Sequence, residues 1–176
     1  MERKHFLMDL LARYLILIAI AIPNLYLFYF IFTPLTVYPT YLLLKLFFNS
    51  SLSGNTLFVN GILIEIISAC VSGSAYYLLL ILNLSTPNIK IKKRVAIFLF
   101  SSFIFLLLNI LRIFFLSILL INGSSLFDVT HQIFWYGLST IFVVLIWFAN
   151  VKLFKIKNIP FYSDIKKIFS FLNNKK

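Results

Sequence analysis

The sequence is poor in cysteine, glycine, proline and charge. Its 176 residues include one Cys, five Gly and five Pro, and only 12% of them are charged. A single cysteine excludes an internal disulfide and any zinc site built from several cysteines. The low glycine and proline content excludes collagen-like and disordered classes, and a soluble domain typically has about 25% charged residues.

Apolar residues take the place of the missing charge. Hydrophobic residues make up 61% of the chain, 21 residues are Phe, and the mean hydropathy is +0.99. A core of this size cannot hide so much apolar surface from water. The composition therefore excludes a soluble domain and predicts an all-α integral membrane protein.

Four apolar stretches have the length of a spanning helix, which needs about 20 mainly apolar residues. They lie at about 10–32, 66–84, 95–121 and 129–150. Pro23-Asn24 should kink the first of them, because proline removes a backbone donor. We therefore expect one polytopic membrane domain over residues 1–150, followed by a basic cytoplasmic tail over residues 151–176.

The positions of the basic residues predict the orientation. The net charge is +11, and 14 of the 16 Lys and Arg fall in the N-terminal segment, the loop before the third span, and the tail. With four spans these regions share one side, opposite Lys45, so both termini are expected in the cytoplasm. Since the basic residues form short blocks between apolar runs, nucleic acid is not an expected partner.

Residues 33–65 are predicted to form a long outer loop. Pro34 and Pro39 discourage a helix at its beginning. The apolar run Tyr41–Phe48 is too short to span and predicts a short interfacial helix. The segment Asn49–Asn55 is typical of a turn, and Thr56–Gly61 favours a short strand.

The tail predicts a basic amphipathic helix on the cytoplasmic leaflet. Ser163 is placed to cap it. Its apolar face has helical spacing and consists of Ile165, Ile168, Phe169 and Leu172.

Arg112 is the polar residue that most needs an explanation. A charge at the centre of a spanning helix costs about 2.5–3.5 kcal/mol on insertion scales. Arg112 precedes Ile121 by nine residues, which is about 13 Å of helix rise. Reaching the outer headgroups over that distance is hard, so a functional role is favoured over snorkelling. Asn109 lies on the same helical face; it either shares a functional role with Arg112 or only bonds a neighbouring helix.

Cys70 lies near the outer end of the second predicted span, among small residues. Small neighbours allow another helix or a substrate backbone to approach closely. Ser74, four residues later, is expected to share the helical face of Cys70. A lone cysteine in an apolar helix is otherwise a packing residue.

His131 follows the tight second outer loop. Its imidazole is a candidate acid or base near neutral pH; the alternative is an interfacial histidine beside Trp135 and Tyr136. Asp128, three residues earlier, either orients the His131 ring or only caps the helix.

The predicted topology places Cys70, Arg112 and His131 in the outer leaflet, on three different helices. An imidazole can take the proton of a thiol, and a guanidinium can stabilise the thiolate or the oxyanion of an acyl intermediate. The sequence thus predicts a cysteine acyl-transfer site that needs no metal or other cofactor.

This arrangement resembles the exosortase/archaeosortase family over residues 56–150. The segment Cys70-Val71-Ser72-Gly73-Ser74 is similar to the family's Cys followed by a Ser/Gly group, with Val71 as an extra residue. Asn109-Ile110-Leu111-Arg112 is similar to its Asn-x-x-Arg motif, and His131, six residues before Gly137, to its His segment. The chain resembles a compact, archaeal-type member.

The resemblance implies a transpeptidase or protease at the outer membrane face. Its substrates would be secreted proteins that end in a short motif, a transmembrane helix and a basic tail. Cys70 would form the thioester, and His131 would act as base and acid. Arg112, supported by Asn109, would orient this pair or hold the oxyanion. Water or a membrane lipid would then accept the acyl group.

Two other classes compete with this reading. One is a non-enzymatic transporter or assembly factor, in which Arg112 is a structural or ligand-binding charge. The other is a rhomboid-like serine protease using Ser72 or Ser74 with His131, which leaves Arg112 unexplained. The position of the thiol relative to the imidazole distinguishes these classes, because only the cysteine mechanism requires Cys70 and His131 to share one pocket.

Overall fold

The protein is described by a computed structural model that covers residues 2–134, 137 and 139–173. Helices dominate this part of the chain: α1 Glu2–Ala21, α2 Tyr26–Phe47, α3 Ser68–Val71, α4 Gly73–Leu84, α5 Ile91–Ile121, α6 Leu126–Ile133, α7 Ser139–Leu153 and α8 Tyr162–Asn173. An antiparallel sheet connects α2 to α3, with strands β1 Ser50–Ser53, β2 Thr56–Val59 and β3 Ile62–Glu65. The fold is therefore mostly helical, and the prediction that it is all-α is wrong.

Two helices, α2 and α5, are long and apolar enough to cross a membrane. Of the four predicted spans, only that at 95–121 coincides with one of them. The span predicted at 66–84 is divided into α3 and α4. The span predicted at 129–150 contains parts of α6 and α7, and Trp135, Tyr136 and Leu138 at their junction lie outside the described residues.

The first predicted span is interrupted where its proline predicts. Helix α1 ends at Ala21, a turn follows, and α2 begins at Tyr26. Pro23 has no backbone N–H, and Asn24 and Leu25 both adopt left-handed backbone conformations with φ of 49° and 58°. The predicted kink is thus a complete break between two helices.

The predicted outer loop is wrong at its beginning, because α2 continues through Pro34 and Pro39 to Phe47. Every fourth residue of α2 from Phe28 to Leu44 is buried, and so is Val37. This packing outweighs the backbone hydrogen bonds that two prolines remove, as tertiary contacts commonly outweigh local propensity. The predicted interfacial helix at Tyr41–Phe48 is therefore the last part of α2.

The predicted strand at Thr56–Gly61 corresponds to β2, the central strand of the sheet. Its neighbour β1 occupies most of the predicted turn Asn49–Asn55. Asn60 and Gly61, with φ of 48° and 84°, connect β2 to β3 through the positive-φ pair typical of a tight hairpin. Alternate β2 residues Leu57 and Val59 are fully buried, which fixes the register of the sheet against the helices.

An aromatic cluster joins α2, α4 and α5. The Phe32 and Tyr76 rings stack with centroids 3.6 Å apart, and Phe105 meets Tyr76 edge-on at 4.9 Å. At Gly73, a Cβ would lie 2.7 Å from the Tyr29 ring. Glycine at this position therefore permits the close approach of α4 to α2.

The three basic regions of the chain meet at one end of the bundle. Arg13 of α1 donates to the Leu84 carbonyl at 2.8 Å and pairs with both Asp164 oxygens of α8 at 3.0 Å. The Phe161 N–H donates to the Ser85 carbonyl. These contacts fasten the N-terminal helix, the α4–α5 loop and the tail together.

The tail is helical, as predicted, but it does not begin at a Ser163 cap. Helix α8 begins at Tyr162, and the Ser163 hydroxyl accepts the N–H of Ile159. Ile165 and Phe169 on the predicted apolar face are exposed. The Leu172 side chain lies outside the described part of the tail.

We expect Asp164→Leu to destabilise the protein, because it leaves the buried Arg13 guanidinium without its main carboxylate. Removing one partner of a buried pair costs about 3–5 kcal/mol. Thermal unfolding in detergent, followed by circular dichroism, measures the loss. Asp9→Leu is the control: Asp9 pairs with the same guanidinium at 3.0 Å but is exposed, so its loss should cost less than about 1 kcal/mol. Equal losses of stability in the two variants would contradict the larger contribution assigned to Asp164.

Candidate functional site

Cys70 lies in the single turn of α3, directly after the sheet. The chain leaves this turn at Ser72, a buried residue with left-handed backbone at φ 60°. This break separates α3 from α4, so the face predicted for Cys70 and Ser74 does not exist. The two side chains instead line different cavities, and the expectation for Ser74 is wrong.

Asn109 fixes the turn that carries Cys70. Its side-chain Nδ2 donates to the Cys70 carbonyl at 2.8 Å and approaches the Val71 carbonyl at 3.4 Å. Asn109 is only 2% exposed, and its amide satisfies carbonyls that the short helix leaves open. These hydrogen bonds agree with the alternative that Asn109 bonds a neighbouring helix, and the support of Arg112 that the resemblance implies stays a prediction.

Arg112 is buried, with 7% of its surface exposed. Its Nη1 donates to the hydroxyls of Ser72 at 3.3 Å and Ser139 at 3.1 Å. Its guanidinium also lies 5.6 Å from the Phe134 ring centroid, within cation–π range. Within the described residues its Nε has no hydrogen-bond partner, and no carboxylate forms an ion pair with it.

His131 lies in α6, and its ring stacks on Phe127 with centroids 5.5 Å apart and 6° between the planes. Asp128 occupies the first turn of α6 and is exposed. A carboxylate in a first turn is favoured by the helix dipole. Among the described residues, the N-cap of α6 is Ser125, whose side chain makes no cap hydrogen bond. The capping and orienting roles of Asp128 therefore both stay predictions.

Cys70, Arg112 and His131 line one cavity of about 190 Å³. We call it the thiol cavity. It lies between β3, α3, α5 and α6, and the rest of its wall consists of Leu63, Ile64, Glu65, Ile66, Ile113, Leu116, Ser117, Leu120 and Phe127. The side chains that the sequence places on three separate elements thus meet at one cavity.

Arg112 also lines a second cavity of about 370 Å³, which we call the hydroxyl cavity. Its polar wall consists of Tyr29, Ser68, Ser72, Ser74, Ser139 and Thr140. Ser72 and Ser139, the two hydroxyls that contact Arg112, were not recognised from the sequence as its partners. Their only signal is that they are small polar residues within apolar segments.

Among the residues that the structure describes, no three His, Cys, Asp or Glu side chains are grouped as a metal site would require. Glu65 also lines the thiol cavity, whose candidate reactive groups are a thiol, an imidazole and a guanidinium. Together they offer a nucleophile, a proton acceptor and a fixed positive charge.

Comparison with known protein families, curated proteins and solved structures found no match to this chain. The resemblance expected from the sequence therefore rests on the short motifs around Cys70, Arg112 and His131 alone.

Asn109→Ala should loosen the Cys70 turn, because the buried carbonyl of Cys70 loses its donor. An unsatisfied buried polar group costs about 1–3 kcal/mol. Hydrogen exchange followed by mass spectrometry should show faster exchange in peptides covering α3, with little change in α8. The exposed Asn122→Ala is the control. Unchanged exchange in α3 would show that the Asn109 amide does not hold this turn.

Proposed function

We propose that this chain is a membrane-embedded cysteine transpeptidase or protease that cleaves C-terminal sorting signals of secreted proteins. The observation that carries the proposal is the shared thiol cavity of Cys70, Arg112 and His131. A reactive cysteine needs a base and an electropositive neighbour. Both line the same cavity as the only cysteine of the chain.

In the proposed reaction, the His131 imidazole takes the proton of the Cys70 thiol. The thiolate attacks the scissile carbonyl carbon, and the Arg112 guanidinium stabilises the oxyanion that forms. When the C–N bond breaks, His131 returns the proton to the leaving amine, and the acyl group remains as a thioester on Cys70. Attack by water, or by a nucleophilic group of a membrane lipid, releases the acyl group and restores the thiol.

The proposal includes four membrane crossings with both termini in the cytoplasm. The clustering of the basic regions at one end of the bundle supports this orientation, since basic segments remain cytoplasmic. The exposed apolar residues Ile165 and Phe169 of α8 suit a helix lying on the cytoplasmic leaflet. The thiol cavity would then face the outside together with the sheet.

A non-enzymatic transporter or assembly factor is the second candidate. It is favoured by the hydroxyl cavity, which is larger than the thiol cavity and is lined by Arg112 but not by Cys70. In that case Arg112 binds a ligand there and the thiol is dispensable. The requirement for Cys70 therefore separates the two candidates.

Cys70→Ala, Arg112→Ala and His131→Ala should each abolish cleavage of a secreted protein that is encoded in the same genome and ends in a motif, an apolar span and a basic tail. The three substitutions remove the nucleophile, the positive charge and the base, respectively. Cleavage is followed by the mobility of the tagged substrate after co-expression, with membrane levels of each variant measured in parallel. Ser74→Ala, which changes only the hydroxyl cavity, should retain activity. Normal cleavage by Cys70→Ala would eliminate the cysteine mechanism.

His131→Ala should also slow alkylation of Cys70 by iodoacetamide at pH 7 about tenfold or more. Without His131 the Cys70 thiol loses its proton acceptor, and less of the reactive thiolate forms. The chain has one cysteine, so intact-mass spectrometry reports this residue alone. His5→Ala, the same substitution in the exposed part of α1, is the control. Equal rates for the two variants would mean that His131 does not activate Cys70. Asp128→Ala slows alkylation only if Asp128 orients His131.

A further inference from the structure

Strand β3 is one of the two outer strands of the sheet. The strand order is β1-β2-β3, so β3 pairs only with β2 among the described strands. The other outer strand, β1, packs against α2. An outer strand with free backbone groups is a template for pairing with another extended chain.

The register identifies which backbone groups of β3 are free. Asn55 and Ile66 lie opposite each other, and the Ile66 N–H donates to the Asn55 carbonyl at 3.0 Å. Because bonded and non-bonded pairs alternate in an antiparallel ladder, Leu63 and Glu65 belong to non-bonded pairs. Their N–H and C=O groups therefore point away from β2, towards the open edge.

This open edge is continuous with the thiol cavity. Leu63, Ile64, Glu65 and Ile66 form one wall of that cavity, and Phe127 and His131 of α6 form another. Leu63 is 58% exposed. Within the described residues, the backbone groups of Leu63 and Glu65 make no hydrogen bond to a helix or a loop.

The geometry points to β3 as the docking strand for the substrate: an extended peptide adds to the β3 edge and is thereby laid across Cys70. The inference rests on the proposed function and specifies how its peptide substrate is bound. Main-chain hydrogen bonds to Leu63 and Glu65 supply affinity, and alternate peptide side chains enter the cavity. At about 190 Å³, the cavity is smaller than the pockets of about 300–1,000 Å³ that hold whole small ligands. It suits a side chain of the peptide.

Recognition through the main chain makes a simple probe sufficient. The probe is a tetra-alanyl chloromethyl ketone, which alkylates a cysteine when the sulfur displaces chloride and the thiol proton passes to the base. Its counterpart carries N-methyl groups on the amides and cannot donate hydrogen bonds. The unmodified probe should label Cys70 at least about tenfold faster than the N-methylated probe, because only the unmodified amides can donate hydrogen bonds to the β3 carbonyls.

The strand itself is tested by Leu63→Pro. Proline removes the outward N–H of Leu63 but no ladder hydrogen bond to β2, which is where an outer strand tolerates it. Labelling by the unmodified probe should fall severalfold to tenfold, whereas the iodoacetamide rate should stay the same. Leu52→Pro is the register-matched control, because Leu52 is also in a non-bonded pair, opposite Leu57 on the β1 edge. Since the Leu52 side chain packs against the core, the comparison uses the ratio of the peptide-probe rate to the iodoacetamide rate, which should stay unchanged in Leu52→Pro and fall in Leu63→Pro.

The outcomes separate this inference from the proposed function. If iodoacetamide labelling depends on His131 but the two peptide probes react equally fast, strand addition is wrong and the activated thiol remains. If iodoacetamide labelling is indifferent to His131, the proposed function fails first. If Leu63→Pro instead changes the mass of the protein in detergent, measured by light scattering, with no effect on the probes, β3 pairs with a second copy of the chain and the inference is overturned.

Discussion

The left-handed turn at Ser72 is the constraint on which the site depends. A helix continuing through this residue would carry Cys70 and Ser74 on one face and offer a single pocket. The break at Ser72 instead turns the thiol towards β3 and α6, and the Ser72 hydroxyl towards Arg112. A left-handed non-glycine residue costs of order 1–3 kcal/mol and persists only where its surroundings determine it.

Helix α5 provides those surroundings through two side chains one turn apart. Asn109 holds the carbonyls that precede the break, and Arg112 binds the hydroxyl at the break. Buried polar groups in an apolar bundle are costly unless they are paired. The hydrogen bonds of the pair therefore select this one arrangement of α3 against α5. Arg112 then has two functions, since the same guanidinium that stabilises the break also lines the thiol cavity.

The sequence predicts the parts of this structure that follow from uniform apolar runs and fails where packing decides. Helix α5 was predicted to within four residues at its beginning, because 31 residues of apolar helix need no tertiary information. Helix α2 was missed because Pro34 and Pro39 suggested a loop. Its buried stripe of Phe28, Phe32, Thr36, Thr40 and Leu44 has helical spacing, but the two threonines conceal that pattern. The sequence predicts the meeting of Cys70, Arg112 and His131 at one cavity, but it does so from four expected spans, of which only that at 95–121 coincides with a long apolar helix. The break at Ser72 was not predictable. A left-handed residue would be expected at the neighbouring Gly73, but that glycine serves the close contact with Tyr29.

The position of a sheet beside the thiol is the feature that the proposed chemistry needs most. A peptide within a bilayer is helical, because lipid offers its backbone no hydrogen-bond partners. Attack on a peptide bond requires the scissile carbonyl to be presented free of helical hydrogen bonds, so a sorting signal has to unwind where it leaves the membrane. Unwinding exposes N–H and C=O groups that each cost free energy when unpaired. The edge of β3 offers those groups new partners at the wall of the cavity that holds Cys70. Substrate unwinding and substrate binding would then be the same event, and the thiol would meet only chains that have already become extended.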